Sequence, residues 1–219
     1  HTLLCFLCAV VMMLKTVMLA QQRPQSSHRY EGVIGKKASY RYLQYLPESY
    51  DQDGAKNWPL LLFLHGVGER GNDLEKVKMH GPPKLVESDP DFPFVLISPQ
   101  CEEGKVWEVD PLLGLLDEVT HRLKIDSDRI YVTGLSMGGF GAWSMIAKEP
   151  GRFAAAIPIC GGGNTGDFMR ELILPSTAEA LAKLPIWVFH GGLDEVVLPK
   201  ESEKMVRALE KAGGKVRYT

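Results

Sequence analysis

Short unbroken apolar runs alternate with stretches of helical periodicity along most of the chain. Residues 60–64 (LLLFL) form one such run, the mark of a strand covered on both faces. Residues 94–97, 130–132, 154–159 and 186–189 repeat the pattern. Residues 40–46 (YRYLQYL) alternate instead, as a half-buried strand does, and Pro47 ends them. Helical patterns occupy residues 112–123, 140–148, 178–184 and 201–211, the last stopped by Gly213 and Gly214, and residues 215–219 open a further strand. Buried strands followed in turn by helices predict an α/β fold with a mostly parallel, doubly wound sheet. Ligands in such sheets sit beyond the C-terminal strand ends. The unusual residues of this sequence fall there: His65-Gly66, Gly134-Leu135-Ser136, Cys160-Gly161-Gly162-Gly163 and His190-Gly191-Gly192-Leu193-Asp194 each follow a strand.

The N-terminus departs from this rhythm. Residues 1–14 (HTLLCFLCAVVMML) are apolar after the first two, and Lys15 separates them from a second apolar patch ending at Ala20. The run falls short of the about 20 apolar residues that span a bilayer. It suits the apolar region of a secretory signal peptide, with residues 21–27 as a polar exit; a buried helix and a membrane anchor are the alternatives. Residues 1–22 are therefore assigned as leader and residues 23–219 as a single domain, with secretion or periplasmic export expected and no stable membrane span.

Composition narrows the function classes. The 219 residues are 45% hydrophobic and 24% charged with a formal net charge of -2, which suits a globular domain and gives no basic face for nucleic acid. Cys5 and Cys8 lie in the leader, while Cys101 and Cys160 each follow a strand. Export would permit a disulfide between the latter two, but no spacing brings them together, and no His/Cys cluster has metal-ligand spacing. No metal or other cofactor is implied, and oligomeric state is left open.

Gly134-Leu135-Ser136-Met137-Gly138 has the G-x-S-x-G form of a nucleophile elbow, after a strand (residues 129–133) and at the start of a helix. The chemistry asks for this: the serine sits on a strained turn that lifts its hydroxyl clear of the sheet, and glycines on either side admit the close packing. The alternative is a glycine-rich turn carrying an incidental serine.

Taken in order, LLLFLHGVGERGND, FVLISPQC with Trp107 soon after, DRIYVTGLSMGGFGAW and PIWVFHGGLDEVV resemble the extracellular esterase and predicted-peptidase branch of the α/β-hydrolases, similar to feruloyl esterases and polyhydroxybutyrate depolymerases. The resemblance runs from about Tyr40 to the last residue. It implies the α/β-hydrolase fold and an acyl-enzyme mechanism.

A serine nucleophile needs a base, and the base needs an acid to hold its tautomer, in the chain order Ser, Asp or Glu, His. Asp194 stands in the Gly-rich loop where the acid belongs, and His190-Gly191-Gly192-Leu193-Asp194-Glu195-Val196-Val197 matches the family's H-G-x-x-D-x-x-V. Glu195 is the neighbouring alternative, Asp167 a remote one, and a helix-cap role for Asp194 the simpler reading. The histidine should follow the next helix and strand, yet all six histidines precede Asp194. His65 and His190 belong to loop motifs, His1 to the leader, and His28, His80 and His121 to the surface. The expectation is a domain broken off within its last strand, without its base and inactive as it stands.

Backbone N–H groups that stabilise the tetrahedral oxyanion are each worth about 3 kcal/mol. Met137, just after the nucleophile, should supply one; Val67, with Gly66 as second choice, should supply the other. The same loop spells Gly66-x-Gly68-x-x-Gly71, a dinucleotide fingerprint, but Glu69 would repel a pyrophosphate and Gly81-Pro82-Pro83 break the helix that should follow. Trp107 is expected to line an acyl or alcohol pocket or to pack in the core, His65 to lie at the substrate site or brace its loop, and residues 160–164 to form another wall. The leading expectation is a secreted serine esterase acting on short acyl or hydroxycinnamoyl esters, small or linked to polysaccharide. A peptidase of the same fold and a non-catalytic binding module are the alternatives.

Overall fold

The computed structural model describes residues 23–219 apart from residues 35, 53, 55, 90 and 167–174. Eight strands form one sheet: β1 (Ser26–Ile34), β2 (Lys36–Tyr45), β3 (Trp58–Leu64), β4 (Val95–Gln100), β5 (Ile125–Leu135), β6 (Ala155–Ile159), β7 (Ile186–Val188) and β8 (Val216–Tyr218), in the order β1-β2-β4-β3-β5-β6-β7-β8. The β1–β2 and β2–β4 pairings are antiparallel and every pairing from β4 onward is parallel. Among the described residues, five helices connect them: α1 (Gly81–Leu85), α2 (Val109–Arg122), α3 (Met137–Lys148), α4 (Pro175–Lys183) and α5 (Lys200–Lys211).

The apolar runs are explained by what covers each face. Leu60, Leu62 and Leu64 of β3 pack with Leu112, Leu115, Leu116 and Val119 of α2 and with Ala142, Met145 and Ile146 of α3. Phe63, one residue out of phase, packs with Tyr45, Leu96 and Val86. Successive strand side chains point to opposite faces, so both faces of β3 are buried. Spacings of three and four along α2 place Leu112, Leu115, Leu116 and Val119 on one stripe, and each fully buried leucine contributes about 2 kcal/mol.

The structure extends the sequence reading at two places. Strand β1 is mostly polar, with only Tyr30 and the terminal Val33 and Ile34 apolar, too few for an apolar run; nine register pairs with β2 create it, and Tyr30 faces the core. Strand β5 begins at Ile125, five residues ahead of the apolar run at Ile130, because Trp58 pairs with Ile125 across a register shift. After β3 the chain passes through two 3-10 segments (Val67–Glu69 and Leu74–Met79) and the five-residue α1, not the long helix a dinucleotide site needs. The leader assigned to residues 1–22 and the remote acid Asp167 lie outside the described residues. Among the described residues, no helix is long and apolar enough to cross a membrane.

The C-terminal strand ends converge on β5. The loops after β3 and β4 lie to one side of Ser136, and those after β6 and β7 to the other. Strand β8 continues its ladder through Thr219, whose N–H donates to the Val188 carbonyl and whose carbonyl accepts from His190 N–H.

Candidate active site

Ser136 joins β5 to α3 with φ 55° and ψ -116°, a conformation side chains rarely adopt. The strain is held by packing on both sides. A Cβ at Gly134 would stand 2.2 Å from the Gly138 carbonyl oxygen, and one at Gly138 would stand 1.8 Å from that of Leu64. Only glycine fits either position. Ser136 N–H donates to the Ile159 carbonyl at 2.9 Å, and the Ser136 carbonyl accepts from Phe140 N–H at 3.1 Å to start the helix. The backbone of the residue is thereby pinned between β6 and α3, leaving the side chain at the helix N-terminus. The first N–H groups of a helix have no partner within it, and the helix dipole favours negative charge there. Met137, the first helical residue, stands in that position.

The loop after β3 stands against the nucleophile. A Cβ at Gly66 would lie 3.7 Å from Ser136 Cβ. The loop is held by His65, which is 1% exposed and cannot form a wall of the site. Cys101 N–H donates to His65 Nε2 at 3.0 Å, so that nitrogen carries no proton, and Nδ1 donates to the Gly66 carbonyl at 2.6 Å. Burial pushes the His65 pKa below its ordinary value, in keeping with the neutral ring. Trp107 donates from Nε1 to the His65 carbonyl at 3.1 Å and meets its ring edge-on at 4.8 Å. His65 is thus a brace that ties the loops after β3 and β4 together. Val67 opens the 3-10 turn and is half exposed. Glu69 is turned inward, its Oε2 3.8 Å from His65 Nδ1 and its Oε1 3.6 Å from His80 Nε2.

The loop after β7 carries Asp194. Its Oδ1 accepts from the N–H groups of Val196 and Val197, both at 2.9 Å, and those bonds hold its pKa below the usual carboxylate value. Its Oδ2 lies 3.6 Å from His190 Nε2. His190 is itself anchored, Nδ1 2.7 Å from Ser202 Oγ and Nε2 2.6 Å from the Val197 carbonyl oxygen, while Ser202 donates to the Gly161 carbonyl. Glu195 is exposed. Asp194 therefore combines the cap geometry with a second oxygen that the backbone does not use.

Cys160 lies between the two. It has φ 39°, and its backbone N–H donates to the Phe189 carbonyl at 2.8 Å. Cys101 and Cys160 are both free thiols, the former buried. Burial raises both, pushing Cys101 up to about 11.

Beside Ser136 opens a groove of about 460 Å³ lined by Val106, Trp107, Met137, Phe140, Gly141 and Ser144. The sequence named Trp107 for a pocket and Met137 for the oxyanion but not Val106, Phe140, Gly141 or Ser144, although residues 137, 140, 141 and 144 have the spacing of one helix face. It also missed Ser202, which no motif marks because its partner His190 is twelve residues away across a loop.

Known proteins are similar to this chain in sequence and in fold. A bifunctional acetylxylan esterase/xylanase from Neocallimastix patriciarum is 26% identical over 160 residues, which cover 70% of this chain and 22% of that one. The crystal structure of a thermostable esterase superposes with a TM-score of 0.70 at 33% identity, over 90% of this chain and 54% of that one. The acylaminoacyl peptidase of Pyrococcus horikoshii shares the fold at TM-score 0.64 and 15% identity, over 94% of this chain and 38% of that one. The chain thus spans about a fifth of the acetylxylan esterase/xylanase and about half of the esterase. Sheet order, elbow and these likenesses give an α/β-hydrolase fold of the esterase and peptidase kind. A family pattern matches residues 99–218, more than half of the chain, and by it this protein belongs to the dienelactone hydrolase family.

Proposed function

We propose that this hydrolase is a secreted serine esterase that works through an acyl-enzyme on Ser136. The observation that carries the reading is the strained backbone of Ser136, at φ 55°, on a turn whose flanking glycines admit no side chain. Such strain is retained where a reaction uses it. In this reading Ser136 Oγ attacks the ester carbonyl, and the N–H groups of Met137 and Val67, with Gly66 as the alternative to Val67, stabilise the oxyanion. Asp194 orients the base through Oδ2. Short acyl or hydroxycinnamoyl esters, free or carried on a polysaccharide, are the proposed substrates; the likeness to an acetylxylan esterase supports the polysaccharide-linked form. The likeness to an acylaminoacyl peptidase keeps amide cleavage as the second reading. Secretion rests on the apolar run at the N-terminus.

The reading needs a base. Among the described residues, His65 and His190 have both ring nitrogens engaged, His28 pairs with Ser26, His80 lies by Glu69, and His121 sits in the last turn of α2. The Thr219 carbonyl at the end of β8 accepts from His190 N–H, and the His190 ring lies 3.6 Å from Asp194 Oδ2. The test uses these 219 residues with p-nitrophenyl acetate and added imidazole. The chain alone should hydrolyse no faster than its Ser136→Ala variant. Imidazole should then raise the rate of the Ser136 protein above that of the variant measured at the same concentration. Equal rates with imidazole would remove Ser136 as nucleophile and leave a non-catalytic binding module.

A further inference from the structure

We infer that the groove along α3 binds the acyl half of the substrate, and that it takes an extended apolar acyl group about 10 Å long rather than acetyl. The inference rests on Ser136 as nucleophile and deepens that reading by naming what occupies the site.

Ser136 stands at the end of β5, with β3 and β4 on one side and β6, β7 and β8 on the other. Asp194 follows β7, so a base that hydrogen-bonds both Asp194 and Ser136 lies on the β6–β8 side. The leaving alcohol takes its proton from that base and departs on that side. Val106 and Trp107 follow β4 and form the opposite wall of the groove. The acyl group, on the other substituent of the carbonyl carbon, is thereby directed into the groove.

Met137, Phe140, Gly141 and Ser144 lie at i, i+3, i+4 and i+7 on α3, a continuous stripe leading away from Ser136. At 1.5 Å per residue the stripe carries the groove about 12 Å from the nucleophile to Ser144. An extended chain of eight carbon atoms reaches about 9 Å at roughly 1.3 Å per bond. A hydroxycinnamoyl group is of similar length. Acetyl would leave most of the groove empty.

Phe140, Met137, Trp107 and Val106 present apolar surface, and Val106 is 64% exposed although apolar. Gly141 makes the walls close, since a Cβ there would lie 3.0 Å from Trp107 Cδ1. The polar group at the far end is Ser144, whose hydroxyl donates to the Phe140 carbonyl at 3.0 Å and keeps its lone pairs for a donor. A straight alkanoyl chain and an aryl-alkenoyl group with a terminal hydroxyl share this fit.

Binding of the product acids tests the inference without turnover. Calorimetric titration of the 219-residue chain should show octanoate, 4-hydroxycinnamate or both binding at least tenfold more tightly than acetate. Ser144→Trp at the far end and Val106→Trp on the opposite wall, each checked for folding by circular dichroism, should each weaken the longer acids at least tenfold. Equal affinity for all three acids would overturn the inference, as would indifference to both tryptophans. So would octan-1-ol, the alcohol-half probe, proving to be the ligand that the tryptophans displace in place of the acids. Selective acid binding without Ser136-dependent hydrolysis would leave the groove assignment standing and sink the esterase reading alone.

Discussion

Gly138 in α3 touches the Leu64 carbonyl of β3 so closely that a methyl group on it would stand 1.8 Å from the oxygen. Backbone rests on backbone there, with no flexible side chain to move aside. Gly138→Ala should therefore cost about 3 kcal/mol or more, at the upper end for overpacking, and lower the melting temperature by several degrees. A melting curve that superimposes on the parent would mean that the elbow can relax in a way its glycines do not suggest.

Ser136 itself offers a companion measurement. Its φ of 55° is strained for serine and alanine alike and open to glycine. Ser136→Gly should be more stable than Ser136→Ala by about 1 kcal/mol, although both remove the nucleophile. Urea denaturation of the two variants gives the comparison directly.

Asp194→Asn separates the two duties of that side chain. The amide oxygen can still accept from the N–H groups of Val196 and Val197, so the loop and the melting temperature should be kept. The charge that would steady an imidazolium is lost, and the imidazole-dependent rate should fall by about tenfold or more. An unchanged rate would reduce Asp194 to a cap.

His65 makes stability depend on pH. Its folded pKa is depressed by burial below the ordinary value of 6.5. In the interval between the folded and ordinary values the unfolded chain binds a proton that the folded one does not, so stability rises with pH there. The contribution is complete above pH 6.5 and is lost as pH falls towards the folded value. The melting temperature should drop on acidification from pH 7, and His65→Asn, which does not titrate, should show a shallower drop.

The thiols should prove sluggish. Cys101 is buried and its thiol is pushed up to about 11, and Cys160 is half buried and raised. The thiolate is the reactive form. At pH 7 iodoacetamide should leave Cys101 unmodified in the folded protein and label Cys160 more slowly than free cysteine, as peptide mass mapping would show. A 101–160 crosslink in the oxidised protein would contradict two separate thiols.

The sequence by itself determined the layered α/β class, the positions of its central strands along the chain and the elbow. Each depends on local pattern: an apolar run such as LLLFL can only be covered on both faces, and Gly134-x-Ser136-x-Gly138 encodes its own strained turn. Tertiary structure decided the rest. Strand β1 has too few apolar residues to announce itself and exists because β2 offers an edge. His65 could have faced substrate or core until the loop after β4 brought Cys101 N–H and Trp107 to it. The groove needs Val106 and Trp107 on one wall and Phe140, Gly141 and Ser144 on the other. Contacts between residues more than thirty positions apart carry no periodicity that a single sequence can display; only the closing of the chain brings them together.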